Sequence, residues 1–164
     1  MKPLNEILKM ENPSEYLYNV ARRYVHKRLK PKWEKLLLSL GNPFWLYKYI
    51  IDIIEERWFE GEEHIKKDSR WAYWYAKDFI KDRWKEAEEY IKRDPYWAYC
   101  YAKSIIKGRW SEAEEYIKKD PRHAYYYAKN IIKGRWPEAE KYIKKDPYWC
   151  EQYCMSGVIK GDEL

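Results

Sequence analysis

The chain has 164 residues, of which 37% are charged, and its mean hydropathy is −0.94. Such polarity alone would favour disorder, but 19% of the residues are aromatic, and disordered chains are depleted in rings. A folded domain whose core is built from tyrosine and tryptophan is therefore predicted, and three cysteines, an odd number, exclude a closed disulfide framework.

The first 41 residues precede a regular repeat and are predicted to form a divergent N-terminal capping unit. Asn12 and Pro13 have the character of a helix cap and first helical position, and Gly41 that of a helix end. No apolar run approaches the length of a membrane span and no signal peptide is recognisable, so a cytoplasmic protein that does not enter a membrane is expected.

A basic collar lies inside this unit. Between residues 21 and 35 there are seven basic residues and one acidic residue, which together equal the whole net charge of +6. The collar residues that could contact an anionic ligand are Arg22, Arg23, Lys27, Arg28, Lys30 and Lys32.

A 26-residue period organises the rest of the chain, with repeats at 42–67, 68–93, 94–119 and 120–145 and a half repeat at 146–164. A fixed period of this size is typical of stacked-repeat proteins. The prediction is an all-α fold, an α-solenoid of stacked two-helix repeats that forms a single domain over residues 1–164.

Each repeat contains the signals for two helices. In the repeat that starts at Asp94, this residue is a good N-cap, Pro95 a good first position and Gly108 a helix stop. Apolar residues at helical spacing are expected to be buried. They are Ala98, Tyr101, Ala102 and Ile105 in the first helix and Trp110, Ala113, Tyr116 and Ile117 in the second.

Three columns of the first helix change from repeat to repeat, and their i, i+4, i+8 spacing places them on one face. Columns that stay alike are explained by stacking, whereas columns that change are available for binding; an unselected solvent face is the alternative. We call this face the first-helix stripe. Its predicted partner-binding residues are Arg70, Trp74, Asp78, Tyr96, Cys100, Ser104, Arg122, Tyr126 and Asn130.

A column of four arginines, each followed by tryptophan, invites a phosphate-binding interpretation. A structural role is favoured, because an arginine at the turn between helices can satisfy helix C-terminal carbonyls, lie on a tryptophan ring or pair with a glutamate of the next helix. The glutamates predicted for such a pair are Glu86, Glu112 and Glu138. The other carboxylates of the second helices, including Glu88 and Glu114, are expected on a solvated face near helix N-termini.

No nucleophile–base pair, metal-ligand spacing or glycine-rich phosphate loop is recognisable in the sequence. The three histidines, His26, His64 and His123, fall in different columns of the repeat. A non-catalytic protein without a metal or cofactor is therefore expected.

The phrase Ala124-Tyr125-Tyr126-Tyr127-Ala128, followed by Ile131-Ile132-Lys133-Gly134-Arg135-Trp136-Pro137-Glu138-Ala139-Glu140, resembles a repeat of uncharacterised proteins from tailed bacteriophages and some giant viruses. The resemblance covers residues 42 to about 161. It implies a viral origin, with a role in host or virion interactions in the host cytosol, and it carries no activity.

Three functions fit these patterns. The first is binding of a host or viral protein along the stripe, and the second is binding of nucleic acid or sequestration of a nucleotide by the basic collar and exposed rings. The third is self-association as a structural part. The sequence does not fix the oligomeric state.

Overall fold

All regular structure in the described part of the chain is helical. A computed structural model describes residues 2–23, 29 and 31–157. The α-helices are α1 (Leu4–Ile7), α2 (Pro13–Arg23), α3 (Pro31–Leu40), α4 (Pro43–Tyr49), α5 (Phe59–Ile65), α6 (Ser69–Tyr75), α7 (Lys85–Ile91), α8 (Pro95–Tyr101), α9 (Ser111–Ile117), α10 (Pro121–Tyr127), α11 (Pro137–Ile143) and α12 (Pro147–Met155). Helices α4, α6, α8 and α10 run directly into π-helical turns at Ile50–Ile54, Ala76–Ile80, Ala102–Ile106 and Ala128–Ile132.

The first helix of each repeat begins where the sequence predicts. The side chain of Asp94 accepts hydrogen bonds from the backbone N–H groups of Tyr96 and Trp97, and Pro95 occupies a position where no N–H is needed. Equivalent bonds reach the side chains of Asn42, Asp68, Asp120 and Asp146. The predicted cap of α2 is also confirmed, because Asn12 accepts from the N–H of Glu15.

The first helix ends differently from the prediction. Its last turn is π-helical, so the N–H of Lys107 reaches the carbonyl of Ala102, five residues back, and Lys107 itself takes the left-handed conformation with φ of 57°. Glu55, Lys81 and Lys133 do the same. The prediction that Gly108 stops the helix was therefore wrong by one residue; Gly108 has no positive φ, and its N–H also bonds to Ala102.

The buried faces follow the predicted spacing. Ala98, Tyr101 and Ala102 are fully buried in the first helix, as are Ala113 and Ile117 in the second, together with the nearly buried Trp110. Ile105 and Tyr116, the outer members of the two predicted sets, are half-buried. Small alanines allow the helices to approach closely, and tyrosine and tryptophan rings fill the wider gaps.

Two compact units divide the chain between Tyr75 and Ala76, inside a first helix. In the first unit, α2 contacts α4 and α4 contacts α6, so successive first helices are neighbours. In the second unit, α8 contacts α10 and α10 contacts α12 in the same way, while α9 and α11 pack beside them. Within each unit the repeats stack layer on layer, which confirms the predicted α-solenoid of two-helix repeats.

Candidate binding site on the first-helix stripe

The arginine column is part of a hydrogen-bonded set that joins consecutive repeats. The Nε and one terminal nitrogen of Arg109 donate to the two carboxylate oxygens of Glu114, at 2.9 and 2.8 Å. The hydroxyl of Tyr127, in the next repeat, donates to Glu114 at 3.1 Å and accepts from the backbone N–H of Trp110 at 2.7 Å. We call this set of four groups an interlayer bridge.

The bridge recurs at each layer. The other members, in the order Arg, Trp, Glu and Tyr, are Arg57, Trp58, Glu62 and Tyr75; Arg83, Trp84, Glu88 and Tyr101; and Arg135, Trp136, Glu140 and Tyr153. In the capping unit, Tyr49 accepts from the N–H of Leu29 and donates to Glu34, so part of the bridge persists where the sequence diverges.

The structural role predicted for the arginines is thus confirmed, but the predicted partners were wrong. Each arginine pairs with the glutamate two residues beyond Glu86, Glu112 or Glu138, because that residue faces the tyrosine of the next layer. Glu88 and Glu114 are half-buried by these contacts, so the solvated face predicted for them was wrong as well. With every guanidinium of the column bound to a carboxylate, the column is not a phosphate ladder.

Burial also sets the protonation of the bridge. It raises the pKa of the Tyr75, Tyr101 and Tyr127 hydroxyls well above the ordinary value, and the adjacent glutamate acts in the same direction. The hydrogen bond from Arg135 lowers the pKa of Glu140. The hydroxyls of Tyr75, Tyr101 and Tyr127 are therefore neutral at neutral pH.

The stripe lies elsewhere on the same first helices. In the second unit Tyr96, Ser104, Arg122 and Asn130 are exposed, and Tyr126 is half-buried. Cys100 and Asp78 are half-buried, as is Trp74 of the first unit, while Arg70 of that unit is exposed with its guanidinium 5.9 Å from the Trp71 ring. Burial raises the pKa of the Cys100 thiol, whereas its hydrogen bond with Tyr96 acts in the opposite direction.

Three of the predicted stripe residues line one cleft between α8 and α10. This aromatic cleft, of about 170 Å³, is lined by Tyr96, Tyr99, Arg122, His123 and Tyr126. The Tyr96 and His123 rings meet edge to face at 5.5 Å. Cys100, Ser104 and Asn130 are not among the lining residues.

Sequence reasoning missed Tyr99 and His123 as site residues. Tyr99 is not among the predicted partner-binding residues, although its ring lies 6.1 Å from that of Tyr126. His123 replaces a tryptophan that occupies its column in the neighbouring repeats at Trp97 and Trp149. This change to a smaller ring, visible in the sequence, occurs where the cleft opens.

The rings continue beyond the cleft as a ring row across α8, α10 and α12. Tyr99 packs against Tyr126, Tyr126 lies 5.6 Å from Trp149, and Trp149 meets Tyr148 at 4.8 Å. The amide nitrogen of Asn130 donates to the Tyr99 hydroxyl at 2.9 Å. This bond fixes the first ring of the row and connects a predicted stripe residue to it.

Cations lie over the same rings. The Lys103 ammonium is 5.7 Å from the Tyr99 ring, and the Arg122 guanidinium is 5.9 Å from the Trp149 ring. Lys129 donates to the Tyr125 hydroxyl at 2.9 Å. Residues 95–106 and 121–132 contain no Asp or Glu. Carboxylates lie next to them at Asp94 and Asp120, and Asp120 is 2.8 Å from Nδ1 of His123 in the cleft.

The basic collar is described only in part. Arg22 and Arg23 are exposed, and the Lys32 ammonium lies 4.7 Å from the Trp33 ring. Lys27, Arg28 and Lys30 lie outside the described residues. Arg23 borders an open depression of about 390 Å³ that it shares with two glutamates. The depression is lined by Met10, Glu11, Asn12, Glu15, Tyr16, Asn19, Val20 and Arg23.

In the residues that the structure describes, no helix has the length and apolarity needed to cross a bilayer. Within the same ranges, no group of three or more His, Cys, Asp or Glu side chains is arranged to hold a metal ion. Comparison with protein families, characterised proteins and solved structures finds no match to the chain.

Proposed function

We propose that this protein is a non-catalytic interaction protein that binds another polypeptide along the first-helix stripe of its second unit. The observation that carries the proposal is the aromatic cleft. Its lining includes Tyr96, Arg122 and Tyr126, which come from columns that change between repeats, whereas the columns of the interlayer bridge do not change. Binding residues thus vary on a scaffold that stays constant, which is how solenoids present ligand surfaces.

The chemistry of the cleft supports a protein partner. Tyrosine, tryptophan and arginine are the residues that most often dominate the binding energy of protein interfaces. Tyr96 is 45% exposed and Tyr148 58%, although both carry large apolar rings. Single exposed rings are normal on a protein surface, but contiguous exposed rings indicate an interaction site. Here the rings are contiguous.

The resemblance of the repeat to viral sequences supports a viral origin and an action inside the host cell. We propose a phage-encoded protein that acts in the host cytosol on a host or viral protein. Neither a metal nor a cofactor is required for this function.

A site-specific crosslink tests the proposal. A photoreactive residue at position 104, on the stripe, should form an adduct with a polypeptide in host extract, whereas the same residue at position 119, after the second helix, should not. The adduct should be lost in the double variant Tyr96→Ala/Tyr126→Ala. Equal crosslinking at both positions, or an adduct that survives the double variant, would rule out this face.

Nucleic-acid or nucleotide binding is the second candidate, and one observation favours it. The basic collar and the rings of the repeats lie in different parts of the sequence, but Lys103 and Arg122 lie over Tyr99 and Trp149 of the ring row. Aromatic–base stacking contributes about 1–3 kcal/mol per base. Such binding should weaken steeply with salt, and an affinity independent of salt would exclude it.

A further inference from the structure

The last layer of the array has cysteines where the preceding layers have alanines. Ala124 and Ala128 of α10 are fully buried, and α12 packs against that helix. At the same two positions of α12 lie Cys150, which is half-buried, and Cys154, which is exposed. In the described part of the chain no further layer follows α12, so the surface that stacking buries on α10 is open on the last layer.

Three more residues of α12 share this surface. Tyr148 is 58% exposed, although Tyr96 of the same column meets the ring of His123 in the next layer. Met155 is 75% exposed and stands where the preceding layer has Lys129, and methionine is enriched at protein interfaces whereas lysine is depleted. These residues cover one side of α12, because successive residues of an α-helix are about 100° apart. We call this side the end face; it comprises Tyr148, Cys150, Glu151, Cys154 and Met155.

The two cysteines of the end face are placed to hold one ion rather than to form a disulfide. Cys150 and Cys154 are one helical turn apart, at i and i+4, which puts their Cβ atoms about 5–6 Å from each other. A disulfide needs about 3.5–4.5 Å between Cβ atoms, so it would distort α12. Two sulfurs that bind one zinc ion at about 2.3 Å are roughly 3.8 Å apart in a tetrahedral site, which side chains at this spacing can reach.

The two thiols also lie within electrostatic reach of each other. Burial raises the pKa of the Cys154 thiol, Cys150 acts in the same direction, and the charge of Lys144 acts in the opposite direction. Neighbouring thiolates repel each other, and a divalent cation bound between them replaces this repulsion by attraction. Lys144, at the end of α11, adds a positive charge that favours thiolates at this place.

One chain supplies half of a zinc site. Structural zinc sites are closed by four ligands, usually cysteine or histidine, in tetrahedral geometry. In the ranges that the structure describes, no third His, Cys, Asp or Glu side chain is arranged with the two thiols to hold a metal. A second copy of the chain, related by two-fold symmetry, would present the same two thiols and complete the four.

The stacking of the repeats supports contact through this face. Helix α10 packs on α8, and α12 packs on α10, each time across the columns to which Cys150 and Cys154 belong. A first helix of this chain thus already accepts another first helix on this side. In the last layer the accepting helix is α12, and the helix that fits it best is a second α12.

We propose that Cys150 and Cys154 are half of a four-thiolate zinc site, which two copies of the chain complete when their end faces meet. Zinc displaces four thiol protons, which pass to the solvent, and the net charge of −2 on the centre is offset by Lys144 of each copy. This inference goes beyond the proposed function, because it concerns the end face and not the stripe. The expectation of a protein without a metal rested on ligand spacing within a single chain.

The first test measures the mass and the metal content of the full chain under a phosphine reductant, which excludes disulfides. With added Zn²⁺ we expect a dimer by light scattering, with one zinc ion per two chains. Removal of zinc by a chelator should return the monomer. A monomer that binds one zinc ion, a dimer that survives the chelator, or absence of bound zinc overturns the proposal.

Alanine variants test the two cysteines without introducing a foreign residue. Cys150→Ala/Cys154→Ala restores the residue type of the preceding layer, so helical circular dichroism should be unchanged, while zinc binding and the dimer should be lost. Cys100→Ala, on α8, should keep both, and so should Glu151→Gln, since no carboxylate is among the ligands. Zinc binding by the double variant, or its loss in either control, overturns the proposal.

Cobalt identifies the ligand atoms. Co²⁺ replaces zinc in tetrahedral sites, and each bound thiolate adds to the charge-transfer absorption from sulfur to cobalt. We expect the absorption of four thiolates per ion, complete at one Co²⁺ per two chains; the absorption of two thiolates per ion would mean that oxygen ligands fill the site, and the proposal would fail. The crosslink at position 104 requires neither Cys150 nor Cys154, so the proposed function and this inference fail independently.

Discussion

The interlayer bridges and the first-helix stripe lie on the same first helices but have opposite properties. Tyr101 and Tyr127 are fully buried, and every repeat has the same residue types at the four positions of the bridge. Tyr96 and Arg122 occupy one column, are exposed, and differ in chemistry from one layer to the next. The difference shows that this fold assigns its stability to one set of columns and leaves another set free to change.

The largest expected difference in stability is between the loss of a ring from a bridge and the loss of a ring from the stripe. Trp110 is 2% exposed, so Trp110→Ala should remove buried contacts, leave a cavity and cost about 3–5 kcal/mol. Tyr96→Ala, on the stripe, should change the free energy of unfolding by less than about 0.5 kcal/mol. Urea unfolding followed by circular dichroism measures both; equal losses would mean that the stripe carries stability too.

Removal of a single tyrosine hydroxyl should also affect stability differently in the two regions. Tyr127→Phe leaves the N–H of Trp110 without its acceptor and Glu114 without one donor, which should cost about 1–3 kcal/mol. Tyr148→Phe removes a hydroxyl from an exposed ring, and the free energy of unfolding should stay unchanged. If Tyr127→Phe is also neutral, the hydrogen bonds of the bridge contribute no net stability.

Alkaline pH should lower the free energy of unfolding through the tyrosines of the interlayer bridges. An unfolded tyrosine loses its proton near pH 10, whereas the pKa of Tyr75, Tyr101 and Tyr127 is raised in the folded chain. The unfolded state then binds fewer protons, so the stabilising effect is complete below pH 10 and declines above it, by about 1.4 kcal/mol per pH unit for each tyrosine.

Absorbance at 295 nm checks this expectation. The bridge tyrosines should ionise only together with the loss of helical circular dichroism. A single smooth titration with the helices intact would contradict the raised pKa values.

Substitution of a turn glycine by alanine should give the smallest change in the free energy of unfolding. Gly108 has no positive φ, and a Cβ there meets nothing within 4 Å, so Gly108→Ala should stabilise the protein by about 0.4–1 kcal/mol. Gly41, in the capping unit, has φ of +60°, and a Cβ would lie 2.8 Å from Nδ1 of His64. Gly41→Ala should therefore destabilise the protein, and thermal unfolding of the two variants should shift in opposite directions.

The period and the capping residues made much of the fold predictable. Asp94 and Pro95 predict the start of the first helix, and alanines at helical spacing predict its buried face, because these signals are local. The π-helical turn could not be predicted in this way. Lys107 takes a conformation that glycine usually supplies, and the hydrogen bonds of a wider turn, rather than the residue type, place it there.

The site was predictable only in part for a related reason. Variation between repeats located Tyr96, Arg122 and Tyr126, since it is visible in one sequence. Tyr99 was not predicted and Glu114 was misassigned, because their roles depend on the layer that packs against them. A residue whose partner lies 13 residues away in the next layer, as Glu114 and Tyr127 do, gives no local signal.

The constant sequence separation between the residues of each bridge affects how such a chain can change in length. Trp84 reaches Tyr101, and Trp110 reaches Tyr127, across the same 17 residues. Excision of residues 94–119 would bring Tyr127 into register with Trp84 and Glu88, so the seam would be indistinguishable from any other. A gain or loss of one whole repeat would thus lengthen or shorten the protein in a single step. Each added repeat would form its interlayer bridges at once, while its variable columns stayed free to acquire new residues.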